Sequence, residues 1–386
     1  MIHDLLPEAT PRPGTPGGPQ PDGRPAAPVP RITAVATAVP PDSYAQREVL
    51  DLFGIDDPRI RSLFLNSAIE RRHLTLPPRA PGGTWHFETQ GELLRKHATG
   101  AVDLGGRAVL AALREAGAEP ADIGYLCCVS STGFLTPGLS ALLVKELGLR
   151  PETSRLDVVG MGCNAGLNAL TAVTGWASAN PGRLAVMVCA EVCSAAYVFD
   201  GTMRTAVVNS LFGDGAAAVT VVADEHGDTA RDARPGAAGT APAVLKYASC
   251  VIPEAVAAMR YEWDDDQGKF SFFLDRDIPY VVGAHAERPV ARLLEGTGLR
   301  RSDIAHWLVH SGGKKVIDSV RVNLGLTRHD VRHTVGVLRD HGNLSSGSFL
   351  FSYERLLAEG VVSRGEYGVL MTMGPGSTIE TALLRW

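Results

Sequence analysis

No stretch of this 386-residue chain holds the 18 consecutive apolar residues that a membrane-crossing helix needs, so no spanning segment is expected. A long basic run is missing too: 37 Lys and Arg stand against 42 Asp and Glu, a net charge of -5. Nothing therefore points to nucleic acid, and an anionic ligand must meet a local basic patch. Cysteine is sparse, with six residues at 127, 128, 163, 189, 193 and 250. They lack the density and spacing of a disulfide framework, and without a CxxC pair or a His-rich tract no zinc site is expected. The N-terminus carries no signal-peptide pattern, and we expect a cytoplasmic protein. What remains is the composition of an ordinary globular protein, 45% hydrophobic and 20% charged. The length suits two domains or one large duplicated unit.

Residues 1–30 are rich in proline and glycine and read as a disordered tail. A second low-complexity stretch, 226–243, reads as a surface loop between two strands. It separates an N-terminal half, 31–225, from a C-terminal half, 244–386. Helical and strand patterns alternate in both: helices over 98–116, 139–147, 166–178 and 283–297, and strands in YLCCVSS, LAVMVCAE, WLVHSGG and YGVLMTMGPG. Mostly buried strands alternating with helices predict a layered α/β architecture.

The most informative segment is GMGCNAGLN at 160–168. An apolar strand, Leu156 to Val159, leads through glycines to Cys163 and then to a helical run. The sulfur would lie near a helix N-terminus, where free N–H groups and the macrodipole favour an anion. Such a site, with a neighbouring imidazole, lowers a thiol from about 8.5 to roughly 3.5–7.5. The same residues also fit a small buried cysteine in a Gly-rich turn. Two downstream segments favour chemistry. HWLVHSGGKKVI at 306–317 sets His310 after an apolar strand, and HGNLSSGS at 341–348 sets Asn343 in a turn before a helix. Alone, His310 fits a structural histidine and Asn343 a turn former. Together with Cys163 they supply a nucleophile, its base and an amide donor, if the two halves bring them to one seam.

Taken together, the segments SAIERRH (67–73), YLCCVSSTGFLTPG, the cysteine turn, SLFGDGAAA (210–218), HSGGKK, GNLSSG and GPGSTIET (374–381) resemble the type III polyketide synthases. These chalcone-synthase-like enzymes belong to the thiolase superfamily. The resemblance implies a five-layered αβαβα fold of two duplicated halves. It also implies that Cys163 accepts the acyl group, His310 is its base and Asn343 a second carbonyl-oxygen donor. Phe212 and Phe272 match the phenylalanines that gate the CoA tunnel, and the turn Gly374, Pro375, Gly376 matches the cavity loop. Cys193 is expected on the cavity wall. Arg59 matches one of three cationic CoA-binding positions, the other two reading Ser62 and Asn66, so Arg61, Arg71 or Lys314 is expected to help hold the phosphates. Ala196 falls where chalcone synthase has threonine. Trp263 falls near a cavity glycine, and Thr136 replaces the residue that crosses the dimer interface.

Around the cysteine the chain is more similar to the 3,5-dihydroxyphenylacetyl-CoA synthase subgroup, of glycopeptide-antibiotic and dihydroxyphenylglycine pathways, than to plant enzymes. That likeness implies four malonyl-CoA units, no cofactor beyond the CoA thioester substrate, a homodimer, and enoyl-CoA-hydratase-like accessory proteins. The rival readings are a tetrahydroxynaphthalene synthase, also primed by malonyl-CoA, and a ketoacyl-carrier-protein synthase.

Overall fold

The computed structural model describes residues 27–77, 87–224 and 241–386. Nearly all of the expected tail and most of the 226–243 loop lie outside those residues. The first strand, Val29–Ala38, begins inside the span read as tail.

Nine strands form one continuous hydrogen-bonded array, which divides into two sheets, one from each half of the chain. The N-terminal half orders them Ser154–Val159, Ile123–Ser130, Leu184–Glu191, Gly215–Asp224 and Val29–Ala38. The C-terminal half orders them Ile304–Val309, Tyr367–Gly374, Thr378–Arg385 and Ala243–Val251. Each half joins parallel strands at its outer edge to antiparallel strands inside, and the halves touch where Arg31 pairs with Ala243. The repeat is thus visible in the pairing pattern. Residues of Ile123–Ser130 and nearly all of Leu184–Glu191 are buried on both faces, which explains their unbroken apolar runs.

Helices Ala165–Ala179 and Ser348–Glu359 make the middle layer. Leu167, Leu170 and Val173 of one share a core with Leu350, Tyr353 and Leu356 of the other, and with inward residues of both sheets. Gln90–Ala116 and Leu139–Glu146 cover the outer face of the first sheet. Ile278–His285, Glu287–Leu294 and Lys314–Leu324 cover the second. The result is the αβαβα stack.

Two helix boundaries differ from the sequence reading. The helix expected over 98–116 starts at Gln90, because Thr89 and Glu92 form a capping box: the Glu92 N–H donates to Thr89 Oγ1 at 3.3 Å and the Thr89 N–H to Glu92 Oε2 at 2.8 Å. The run expected over 283–297 is two helices that meet at Ala286 and end at Leu294. Pro289 lies in the first turn of the second, where its missing N–H costs no helical bond.

Candidate active site

Strand Ser154–Val159 ends in Gly160 and Gly162, at φ of 80° and 67°. Glycine adopts that left-handed region without penalty, so the chain reverses within three residues and delivers Cys163 in a single 3-10 turn just before helix Ala165–Ala179. The C-terminal turn docks against it. A Cβ on Gly374 would stand 2.5 Å from Asn164 Oδ1 and 3.0 Å from the Cys163 nitrogen, and one on Gly162 would stand 2.4 Å from the Pro375 ring. Only bare backbones fit at this seam of the two halves.

His310 follows strand Ile304–Val309, and its N–H donates to Met371 O at 2.8 Å. The imidazole is buried, with Nδ1 lacking a hydrogen-bond partner among the described residues. Asn343 sits between helix Arg332–His341 and the turn Ser345–Gly347. Its Oδ1 accepts the Ser345 N–H at 2.8 Å. No acceptor among the described residues takes Nδ2, so the amide's donor end is uncommitted. Its backbone pairs with the segment around Phe212: the Asn343 N–H donates to Leu211 O at 2.9 Å and the Gly213 N–H to Asn343 O at 3.0 Å.

A cavity of about 340 Å³ opens at Cys163. Of the residues expected around it, Cys163, Cys193, Ala196, Phe212, Phe272 and Pro375 line it. The two phenylalanine rings meet edge to face with centroids 6.0 Å apart. Gly374 and Gly376 flank Pro375 and shape the turn rather than the wall. Arg59 is exposed on helix Pro58–Leu65, and Lys314 is held by Asp318 at 2.9 Å at the start of its helix. Neither reaches the cavity wall, and neither does Thr136, which is exposed two residues after the lining Phe134.

Trp263 requires a correction. It does not line the cavity; it is half exposed and packs on Phe270, with centroids 5.1 Å apart. In the ribbon of Met259–Asp264 and Lys269–Leu274, Trp263 pairs with Phe270 whereas Tyr261 pairs with Phe272. Only the second pair faces the chamber, so Tyr261, not Trp263, forms the wall. Counting residues through a hairpin misses this because alternate residues share a face while only some of them lie over the cavity. Ser345 was also missed. Its Oγ lies 3.6 Å from Cys163 Sγ, within hydrogen-bond reach of the sulfur. Glu191, fully buried, accepts from the Ser346 hydroxyl and from the Ser131 N–H. The serines of GNLSSGS were the only sequence signal for either contact.

Burial acts against charge at both Cys163 and His310. It pushes the Cys163 thiol up to about 12, against a downward pull from the Ser345 hydrogen bond, and pushes the His310 imidazole down to about 3. Each charge alone is disfavoured.

The comparisons follow the same two halves. Residues 88–225 match the family model for the N-terminal domain of chalcone and stilbene synthases, and 246–386 match that for the C-terminal domain. A 3,5-dihydroxyphenylacetyl-CoA synthase from Streptomyces toyocaensis is 68% identical over 94% of this chain and 91% of its own length. The chain belongs to the chalcone and stilbene synthase family. This type III polyketide synthase is therefore an acyltransferase. A second 3,5-dihydroxyphenylacetyl-CoA synthase, from Amycolatopsis balhimycina, is 66% identical over 92% of the chain and 93% of its own. Among solved structures, 1,3,6,8-tetrahydroxynaphthalene synthase from Streptomyces coelicolor superposes with a TM-score of 0.80 at 27% identity, covering 92% of this chain and 99% of that one. Among the described residues, no helix is long and apolar enough to cross a membrane.

Proposed function

We propose that this type III polyketide synthase condenses four malonyl-CoA into 3,5-dihydroxyphenylacetyl-CoA in the cytoplasm, for the dihydroxyphenylglycine of glycopeptide antibiotics. The observation that carries this reading is the two-thirds identity to synthases of that product along nearly the whole chain. The chemistry runs on CoA thioesters without another cofactor. Cys163 passes its proton to His310 and attacks the starter thioester carbonyl; the carbon–sulfur bond to CoA breaks, and CoA leaves as the thiol with the imidazolium proton. The next malonyl-CoA loses CO2, and the electron pair of the broken carbon–carbon bond becomes an enolate. His310 and the free Asn343 amide hydrogens hold its oxygen; one such donor is typically worth about 100- to 1000-fold in rate. The enolate carbon attacks the acyl carbonyl on Cys163, a carbon–carbon bond forms, and the thiolate is released for reloading. Phe212 and Phe272 keep water from the acyl-enzyme, which favours condensation over hydrolysis. Arg59 and Lys314 meet the CoA phosphates.

The homodimer belongs to the same proposal. Ser154–Val159 is an edge strand, and Phe134, Leu156, Val159 and Met161 are exposed beside it. Phe134 and Val159 also line the cavity, so a partner covering that apolar edge would close the chamber near Thr136. Enoyl-CoA-hydratase-like accessory proteins would assist ring closure. Mass spectrometry of products formed from malonyl-CoA alone tests the reading. An eight-carbon dihydroxyphenylacetyl thioester supports it, with or without accessory proteins. A ten-carbon naphthalene product without CoA, or a strict need for a carrier protein, overturns it.

A further inference from the structure

The segment SAIERRH contributes a residue that the reaction above does not use. Arg72 is fully buried, a costly place for a guanidinium unless its hydrogens find partners. Its Nη1 donates to the Asn209 carbonyl at 2.6 Å, and to the Phe212 carbonyl and the Tyr197 hydroxyl at 2.7 Å. The Tyr197 hydroxyl in turn donates to the same Phe212 carbonyl. At the other end, the aliphatic stem of Arg72 packs on Gly342, where a Cβ would come within 2.9 Å of Cδ and 3.0 Å of Cγ. Gly342 directly precedes Asn343. The strand carrying Arg72 is anchored as well, since the Asp214 N–H donates to His73 O at 2.8 Å. One buried side chain therefore touches both sides of the bridge that joins Leu211–Gly213 to Asn343.

Nε and Nη2 of Arg72 are buried without hydrogen-bond partners among the described residues, and Asp214 supplies the nearby opposite charge. An apolar side chain of similar volume would often stabilise such a site at least as well. We propose that Arg72 is a positioning residue: it locks the Phe212–Asn343 bridge in register so that the Asn343 amide meets the enolate oxygen, without itself touching substrate. The inference rests on the proposed role of Asn343.

The test is a double-mutant cycle on malonyl-CoA decarboxylation, using Arg72→Met, Asn343→Ala and the pair. A displacement of about 1 Å in a positioning group costs on the order of 100-fold, so Arg72→Met is expected to lower kcat about 10- to 100-fold. KM should stay within about twofold, and peptide mapping should still find one alkylatable Cys163 per chain. Added to Asn343→Ala, the same change should cost less than about threefold, because residues acting through one contact are not additive. Tyr197→Phe, which keeps size and charge, should lower kcat several-fold and be equally silent beside Asn343→Ala; it decides the matter should Arg72→Met fail to fold. Effects that multiply in the double variants, or activity lost only in proportion to alkylatable Cys163, overturn the role of Arg72. If Asn343→Ala alone leaves decarboxylation unchanged, the assignment of Asn343 falls first, and the premise for Arg72 falls with it.

Discussion

Replacing Tyr261 with alanine should lengthen the product. The ring lies across from Phe272, with centroids 5.2 Å apart, and forms part of the wall of a cavity of about 340 Å³. One more condensation adds a methylene and a carbonyl to the chain. Forcing extra atoms into a filled site costs about 1 to 3 kcal/mol. At about 1.4 kcal/mol per tenfold, that penalty suppresses the longer chain by roughly 5- to 150-fold. Removing the ring removes the penalty, so the ratio of longer to eight-carbon products should rise by that factor. Tyr261 is 37% exposed, so the stability cost should fall below the roughly 3 to 5 kcal/mol of a fully buried aromatic cut to alanine. The assay is mass spectrometry of products from malonyl-CoA, with thermal unfolding to confirm the fold. Tyr261→Phe keeps the ring and should keep the chain length. Trp263→Gly, on the same strand face but outside the cavity, should leave the product spectrum unchanged. A folded Tyr261→Ala enzyme with the parent's products, or a Trp263→Gly enzyme with longer ones, would refute the assignment of the wall.

Three further outcomes follow from the site. Because burial, aided by the Glu191 charge and opposed by the Ser345 hydrogen bond, pushes the Cys163 thiol up to about 12, His310→Ala should move the midpoint of iodoacetamide labelling upward toward that value, suppressing the thiolate near neutral pH; an unchanged labelling profile would show that His310 does not supply the counter-charge. Asn343→Ala should slow decarboxylation and condensation together by about 100- to 1000-fold, read as CO2 release and polyketide yield, and a loss of condensation alone would contradict a shared enolate donor. Gly166→Ala puts a Cβ 2.5 Å from Ser346 O and 2.6 Å from Phe349 Cε1, so denaturant unfolding should show about 1 to 3 kcal/mol of destabilisation; a neutral result would mean that the two central helices have room to part.

Much of this protein is local and was therefore readable from the chain. Strand runs such as YLCCVS, the glycines that let the chain turn at 160 and 162, and the placement of Cys163, His310 and Asn343 each just before a helix depend on neighbours within a few residues. The capping box at Thr89 was equally local, and was overlooked because the apolar period starts later than the helix does. Other properties exist only once distant segments meet. Whether Tyr261 or Trp263 faces the chamber is set by pairing across a ribbon and by what lies above it. Ser345 reaches Cys163 from 182 residues away, and Arg72 reaches Phe212 from 140. The resistance of Cys163 and His310 to carrying charge alone comes from the depth at which two sheets and two helices enclose them. Sequence spacing decides which way a side chain leaves its own backbone; desolvation and contact across the seam are sums over the whole fold, and only the tertiary structure decides them.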